Sequence, residues 1–224
     1  MSVLTVQPSP LQEKTQTVQD LLNALGNIPP ERIRIHPAPG TAVEQDVIDA
    51  EARENRLFEL VDATLVEKAM GYHESLLAMI VGSILLAFVE ENRLGTVTGS
   101  DGALRLFPGL VRIPDVAFVS FTRMPGQRVP NDAIPSMIPD LAVEVLSKTN
   151  TPGEMRRKRI EYFETGVRLV WLFDLVGRFA DVYTAPEQVT RVEADGVLSG
   201  GEVLPGLTIS MSELFARFDR SLNG

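Results

Sequence analysis

Between Asp140 and Leu146 the sequence runs Asp-Leu-Ala-Val-Glu-Val-Leu, and the glutamate in its middle most limits what this chain can become. Side chains of a strand alternate between faces, so Leu141, Val143 and Val145 share one side while Ala142, Glu144 and Leu146 share the other. A carboxylate is thus set into an otherwise apolar strand, of the kind that runs through the middle of a sheet. Left ionised and unpaired there, it would cost several kcal/mol or take up a proton. A buried arginine or lysine beside it removes the difficulty, and so does a bound cation. The strand alone does not choose between them.

Two further acids stand where the pattern asks for apolar residues. Asp115 follows Pro114 and leads into Val116-Ala-Phe-Val119, at the mouth of a strand; as a plain turn carboxylate it would cap nearby N–H groups. Glu74 shares a helical face with Leu77, Ala78, Val81 and Leu85, by the spacing i+3, i+4, i+7, i+11. The helix dipole favours a first-turn acid by about 0.3–1 kcal/mol, which accounts for its position but not for its face. If the three met, they would repel and raise one another's pKa values. A hard divalent cation, magnesium or manganese, would resolve that. Spacing does not say whether they meet.

With 224 residues, 44% of them apolar, the chain can close a sizeable core as one domain with an N-terminal extension. The absence of cysteine excludes disulfides and thiolate metal sites and suits the reducing cytoplasm. The N-terminal stretch lacks the basic start and apolar run of a secretory signal. The longest apolar stretch, Leu76 to Val89, is interrupted by Gly82 and Ser83 and falls short of the roughly 20 residues of a span. A core helix is expected there, and no membrane partner. The net charge of −9 counts against tight DNA binding unless the acidity is local to a metal site or to a far surface.

Residues 1 to about 17 read as a loose tail, Val18 to Leu25 as a short helix and residues 36–40 as loop, so 1–56 form the extension and 57–218 the main domain. Paired strands are expected at Leu57–Val61 and Thr64–Glu67, then a long helix from Tyr72 to Asn92. Further strands are expected at Gly102–Leu106, Val116–Val119 and Leu141–Leu146. Thr151-Pro-Gly-Glu154 starts a helix that runs to Glu164 or Thr165, with Gly166 past its end. A hairpin, Leu169–Phe173 with Phe179–Tyr183, a weaker β stretch and a terminal helix from Ser210 complete an α/β fold with a mixed sheet flanked by helices.

Phe58-Glu-Leu-Val-Asp62, Pro114-Asp-Val-Ala-Phe-Val119 and Pro139-Asp-Leu-Ala-Val-Glu-Val-Leu-Ser147, followed by Lys158, Tyr162, Gly166-Val167 and Trp171, form an ordered set. In this order the chain resembles the Uma-type restriction endonuclease family of the PD-(D/E)XK nuclease superfamily, from Leu57 to Phe215. The resemblance implies a restriction-endonuclease-like fold and phosphodiester hydrolysis assisted by magnesium or manganese, with DNA as substrate. Residue by residue it implies that Asp115 and Glu144 bind metal and that Glu74 completes the site. Glu59 would support the ligating acids. The superfamily pattern places a lysine two residues after the strand acid, where this chain has Leu146. Lys158, on the following helix, is the family's match.

Lys158 lies four residues after Glu154 and four before Tyr162, so it reads equally as an i,i+4 partner of Glu154 or as a group that stabilises charge on phosphate. Arg156, Arg157 and Arg159 form the one dense basic cluster, either a solvated helix face or phosphate contacts. A homodimer would let two sites address two strands. A nuclease-like fold that binds or assembles without cleaving is the rival, favoured by the acidic charge and by Leu146. A hydrolase of small phosphate esters is a third reading. Fold alone does not decide among them.

Overall fold

A computed structural model describes residues 17–223. The tail expected before about residue 17 lies outside the described residues. Helix α1 (Val18–Ala24) starts at Thr17, whose side chain accepts from the Asp20 N–H while the Asp20 carboxylate accepts from the Thr17 N–H. Helix α2 (Glu44–Glu54), outside the expected set, begins where the Val43 N–H donates to Asp46. Its buried residues Val47 and Ala50 join Phe58, Leu60 and Leu65 of the hairpin β1 (Phe58–Val61) and β2 (Thr64–Glu67) in one apolar cluster. The extension is therefore part of the packed structure.

Next come α3 (Tyr72–Glu91), β3 (Gly95–Thr98), β4 (Leu104–Phe107), β5 (Leu110–Arg112), β6 (Val116–Ser120) and β7 (Leu141–Val145). They are followed by α4 (Pro152–Thr165), β8 (Leu169–Asp174), β9 (Phe179–Ala185), β10 (Gln188–Val192), β11 (Val197–Ser199), β12 (Thr208–Ser210) and α5 (Met211–Asn223). Strands β3 and β5 were not among the expected elements. The expected mixed sheet is the six-stranded one, ordered β10-β9-β8-β7-β6-β3. There β7 and β8 run parallel, joined through α4, and every other pair is antiparallel. The remaining strands form a four-stranded sheet, β2-β1-β5-β4, and a two-stranded one, β11-β12.

Strand β7 divides its residues as period two requires. Leu141, Val143 and Val145 join Val116, Phe118, Trp171 and Phe173 in the cluster that also holds the buried stripe of α3 and Leu214, Phe215 and Phe218 of α5. Ala142 belongs to the opposite cluster, with Ala117, Val170 and Tyr162 of α4. By length and composition α3 could cross a membrane, yet Leu77, Val81, Leu85 and Val89 are wholly enclosed by protein. It serves as the core helix beneath the sheet.

Two glycines, Gly26 and Gly153, seat the extension against α4. Gly26 has φ +81, and a Cβ on it would lie 2.3 Å from the Glu154 nitrogen. Only a residue without a side chain allows that approach. From the other side, the Thr151 hydroxyl donates to the Gly26 carbonyl at 2.6 Å.

Candidate active site

The site is built on the α4 side of the six-stranded sheet. Val116 pairs with Val143 and Ala117 with Ala142, so the next position along brings Asp115 beside Glu144. The Asp115 N–H donates to the Val143 carbonyl at 3.0 Å, and its Oδ2 accepts from the Val145 N–H at 2.7 Å. Backbone pairing thus fixes Asp115 at the mouth of β6, and both acids are buried.

Helix α4 lies over that face, and its inward stripe is polar. Glu154, Lys158 and Tyr162 fall four residues apart and all are buried. Lys158 does not pair with Glu154. Its Nζ lies 3.0 Å from Glu59 Oε1 and 3.4 Å from both Glu144 oxygens. Tyr162 donates to Glu144 Oε1 at 2.5 Å. Glu154 turns the other way, to a two-pronged pair with Arg32 at 2.8 and 2.9 Å, and it also accepts from Asn150. Thr151 still caps the helix by accepting from the Glu154 N–H, but the Glu154 side chain is spent on Arg32.

Glu59 on β1 is fully enclosed. It accepts from Arg112 of β5 at 2.7 Å and from the Ile113 N–H at 3.1 Å, besides meeting Lys158. Arg112 also grips Glu161, which accepts from Arg157 at 2.7 Å; Arg157 reaches on to Asp62 and the Ala24 carbonyl. A continuous chain of ion pairs therefore ties the four-stranded sheet to α4 and to Glu144. A second lysine, Lys68, just past β2, has its Nζ 2.8 Å from Asp115 Oδ1 and donates to the Ile113 carbonyl.

These contacts set the charge states. Burial pushes the Glu144 carboxyl up, and neighbouring Asp115 adds to this, while Lys158 and Lys68 pull it down without cancelling the rise. For Glu59, burial also raises the pKa, but Lys158, Arg112, Lys68 and the Ile113 N–H outweigh it and hold the carboxyl well below the usual range. Lys158 resists burial through Glu144 and Glu59 and stays protonated above its ordinary value. Burial and the adjacent Glu144 charge keep the Tyr162 phenol neutral.

The structure therefore brings Asp115, Glu144, Lys158 and Glu59 together and leaves Glu74 apart. Glu74 opens α3 half-buried, its carboxylate folded over Gly71, and it lines two clefts without an ion pair among the described residues. No three acids or histidines stand close enough to hold a metal among the described residues. Of the arginines, Arg157 is committed to Asp62 and Glu161. Arg156 and Arg159 share Glu187 at 3.3 and 3.4 Å, and Arg159 also lies over the Tyr183 ring. Lys68, Arg112, Arg32 and Tyr162 are the members of the constellation to which sequence reasoning gave no site role.

Lys68 lines a cleft of about 600 Å³ with Arg32, Glu67, Gly71, Glu74, Ser147 and Lys148. Asp115 is not among that cleft's lining and opens instead on a groove of about 160 Å³ between α3 and β3. A second cleft, about 650 Å³, shares Glu74, Ser147 and Lys148 with the first and carries Arg156, Arg159 and Arg191.

Residues 45–212 match the model of the Uma2 family, described as "Putative restriction endonuclease". The chain belongs to the Uma2 family. A solved structure, "a putative nuclease belonging to DUF820" from Anabaena variabilis, is similar to it with a TM-score of 0.62 and 17% identity, covering 72% of this chain and 91% of that one. At that identity the likeness is one of fold. No curated protein matches the chain. The stretch matched to Uma2 contains β1, β2, β6, β7 and α4, and with them Glu59, Lys68, Asp115, Glu144, Lys158 and Tyr162.

Proposed function

We propose that this Uma2 chain is a magnesium- or manganese-dependent endonuclease that hydrolyses phosphodiester bonds in DNA. The observation that carries the reading is Asp115 beside Glu144 on neighbouring strands, with Lys68 and Lys158 against them and Lys68 lining an open cleft. The donor chemistry fits. Magnesium typically takes one or two protein carboxylates and leaves its other positions to water and substrate phosphate, so two acids suffice without Glu74. The raised pKa of Glu144 marks a place where negative charge is under-compensated, and a dication would favour its ionised form.

When bound, the cation would polarise a phosphate oxygen and ease ionisation of its water. Asp115 and Glu144 would hold it, while Tyr162 and Lys158 keep the Glu144 carboxylate oriented. In the hydrolysis, a water oxygen bonds to phosphorus, the bond from phosphorus to the departing sugar oxygen breaks, and the water's proton ends on that oxygen. Although the chain carries a net charge of −9, Arg32, Lys68, Lys148, Arg156, Arg159 and Arg191 gather along the two clefts. The same linings hold Glu31, Glu67, Glu74, Asp174 and Asp181, so the charges are nearly balanced and it is the family likeness that supports a DNA substrate.

Plasmid nicking by the purified protein, present with either ion and absent in EDTA, tests the reading directly. Metal binding has a readout that needs no substrate. A ligand that binds only the native state stabilises by about 2.7 kcal/mol at a hundredfold excess over Kd. The unfolding midpoint should then rise by very roughly 5–10 °C in millimolar manganese or magnesium, and Glu144→Gln should remove most of the rise. A rival has one specific observation behind it: Lys68 and Lys158 already pair with the two acids without a metal, as a module that binds without cleaving would need. No shift with either ion would favour that rival.

A further inference from the structure

The two lysines are built for different work. Lys158 is wedged between Glu59 and Glu144, beside a void of about 10 Å³ whose wall residues Met155, Arg159, Leu172 and Tyr183 also line the cleft of about 650 Å³. Carboxylates from two elements, β1 and β7, hold its ammonium in place. Lys68 lines the cleft of about 600 Å³, and among the described residues its ammonium is held by two oxygens, Asp115 Oδ1 and the Ile113 carbonyl. Both are hard oxygens of the kind a divalent cation takes. An ammonium 2.8 Å from Asp115 Oδ1 and a dication coordinated to the same carboxylate would repel strongly in so dry a place.

Resting on the metal-dependent reading above, we propose that Lys68, and not Lys158, is the lysine that meets the substrate. Lys68 holds Asp115 until metal binds, swings from it into the cleft, and there contacts an oxygen of the scissile phosphate. Lys158 stays in place as the fixed counter-ion of Glu144. The long, flexible lysine stem, anchored at the end of β2 between the carboxylate and the cleft, gives the ammonium two stations.

Manganese binding measured by calorimetry without DNA, together with plasmid cleavage, tests this in wild type, Lys68→Met and Lys68→Arg. Removing the competing charge should tighten manganese binding about tenfold, while cleavage falls by about 10²–10³-fold through loss of the phosphate contact. Lys68→Arg should return metal affinity towards wild type and recover part of the cleavage. A structural role would weaken binding and cleavage together, so opposite signs are the signature. Should Lys68→Met not fold without metal, Lys68→Gln, whose amide still donates to Asp115, carries the same two readouts. Unchanged or weaker manganese binding in the uncharged variants, or cleavage retained, overturns the assignment. A wild type that neither binds manganese nor cuts DNA overturns the nuclease reading itself, and this inference with it.

Discussion

Glu144→Gln should lower metal-dependent plasmid cleavage by on the order of a thousandfold while leaving the metal-free protein as stable as wild type, or more so. The first half follows from the donor set: an amide lacks the charge that holds a dication beside Asp115. The second half follows from linkage. The folded-state pKa of Glu144 lies above the ordinary 4.5, so the folded protein holds that proton more tightly than the unfolded chain does. Stability contributed by the group is therefore lost as pH rises from about 4.5 through the raised folded value. Glutamine has no such charge to form. It can still accept from Tyr162, and Lys158 keeps Glu59 at 3.0 Å. Cleavage kinetics and a thermal melt on the same preparation check both halves. A variant that loses activity because it unfolds, or that keeps full activity while folded, would each remove Glu144 from the metal site.

The apolar alternation of β7 placed Glu144 on a face of its own because a strand's period is strict. Thr151, Pro152 and Gly166 bounded α4 for reasons local to the chain: a hydroxyl cap, a preset φ and a left-handed C-cap. Glu74 shows the limit of periodicity. Its stripe partners Leu77, Ala78, Val81 and Leu85 are buried, but the first turn of α3 overhangs the clefts, so the same stripe meets open space one turn earlier.

The missing cations were hidden for a different reason. Lys68 follows Glu67 at a strand end and reads as a solvated pair, although by period two it shares a face with Val66, which pairs with Glu59. Arg112 sits in a strand of three residues, too short for alternation to show, and Arg32 ends a single 3-10 turn, Pro30–Arg32. Helix α2 escaped notice because its stripe is sparse, with Val47 and Ala50 its only buried residues. Lys68, Arg112 and Arg32 each meet their acid from a remote segment, and sequence spacing carries no information about contacts of that range.

The same network makes Glu59→Gln the substitution with the largest expected effect on stability. Breaking a buried ion pair by removing one partner costs about 3–5 kcal/mol, because the abandoned charge stays buried. Here two cations are abandoned, Arg112 and Lys158, but Glu161 and Glu144 remain to them, which places the loss near the lower end, about 3 kcal/mol. For a domain of this size that is a fall in midpoint of very roughly 6–12 °C. The acid limb of the stability profile should change as well. Glu59 ionises more readily folded than unfolded, so its contribution is present above the unfolded value of about 4.5 and drains away as pH falls towards the lower folded one. Glu59→Gln should therefore lose less on acidification than wild type does. Adding Lys158→Met should return part of the lost stability, since it withdraws one of the stranded cations, and the double-mutant cycle measures that coupling. A loss below about 1 kcal/mol for Glu59→Gln in urea, with an unaltered acid limb, would mean that the ion chain between the two sheets carries little of the fold.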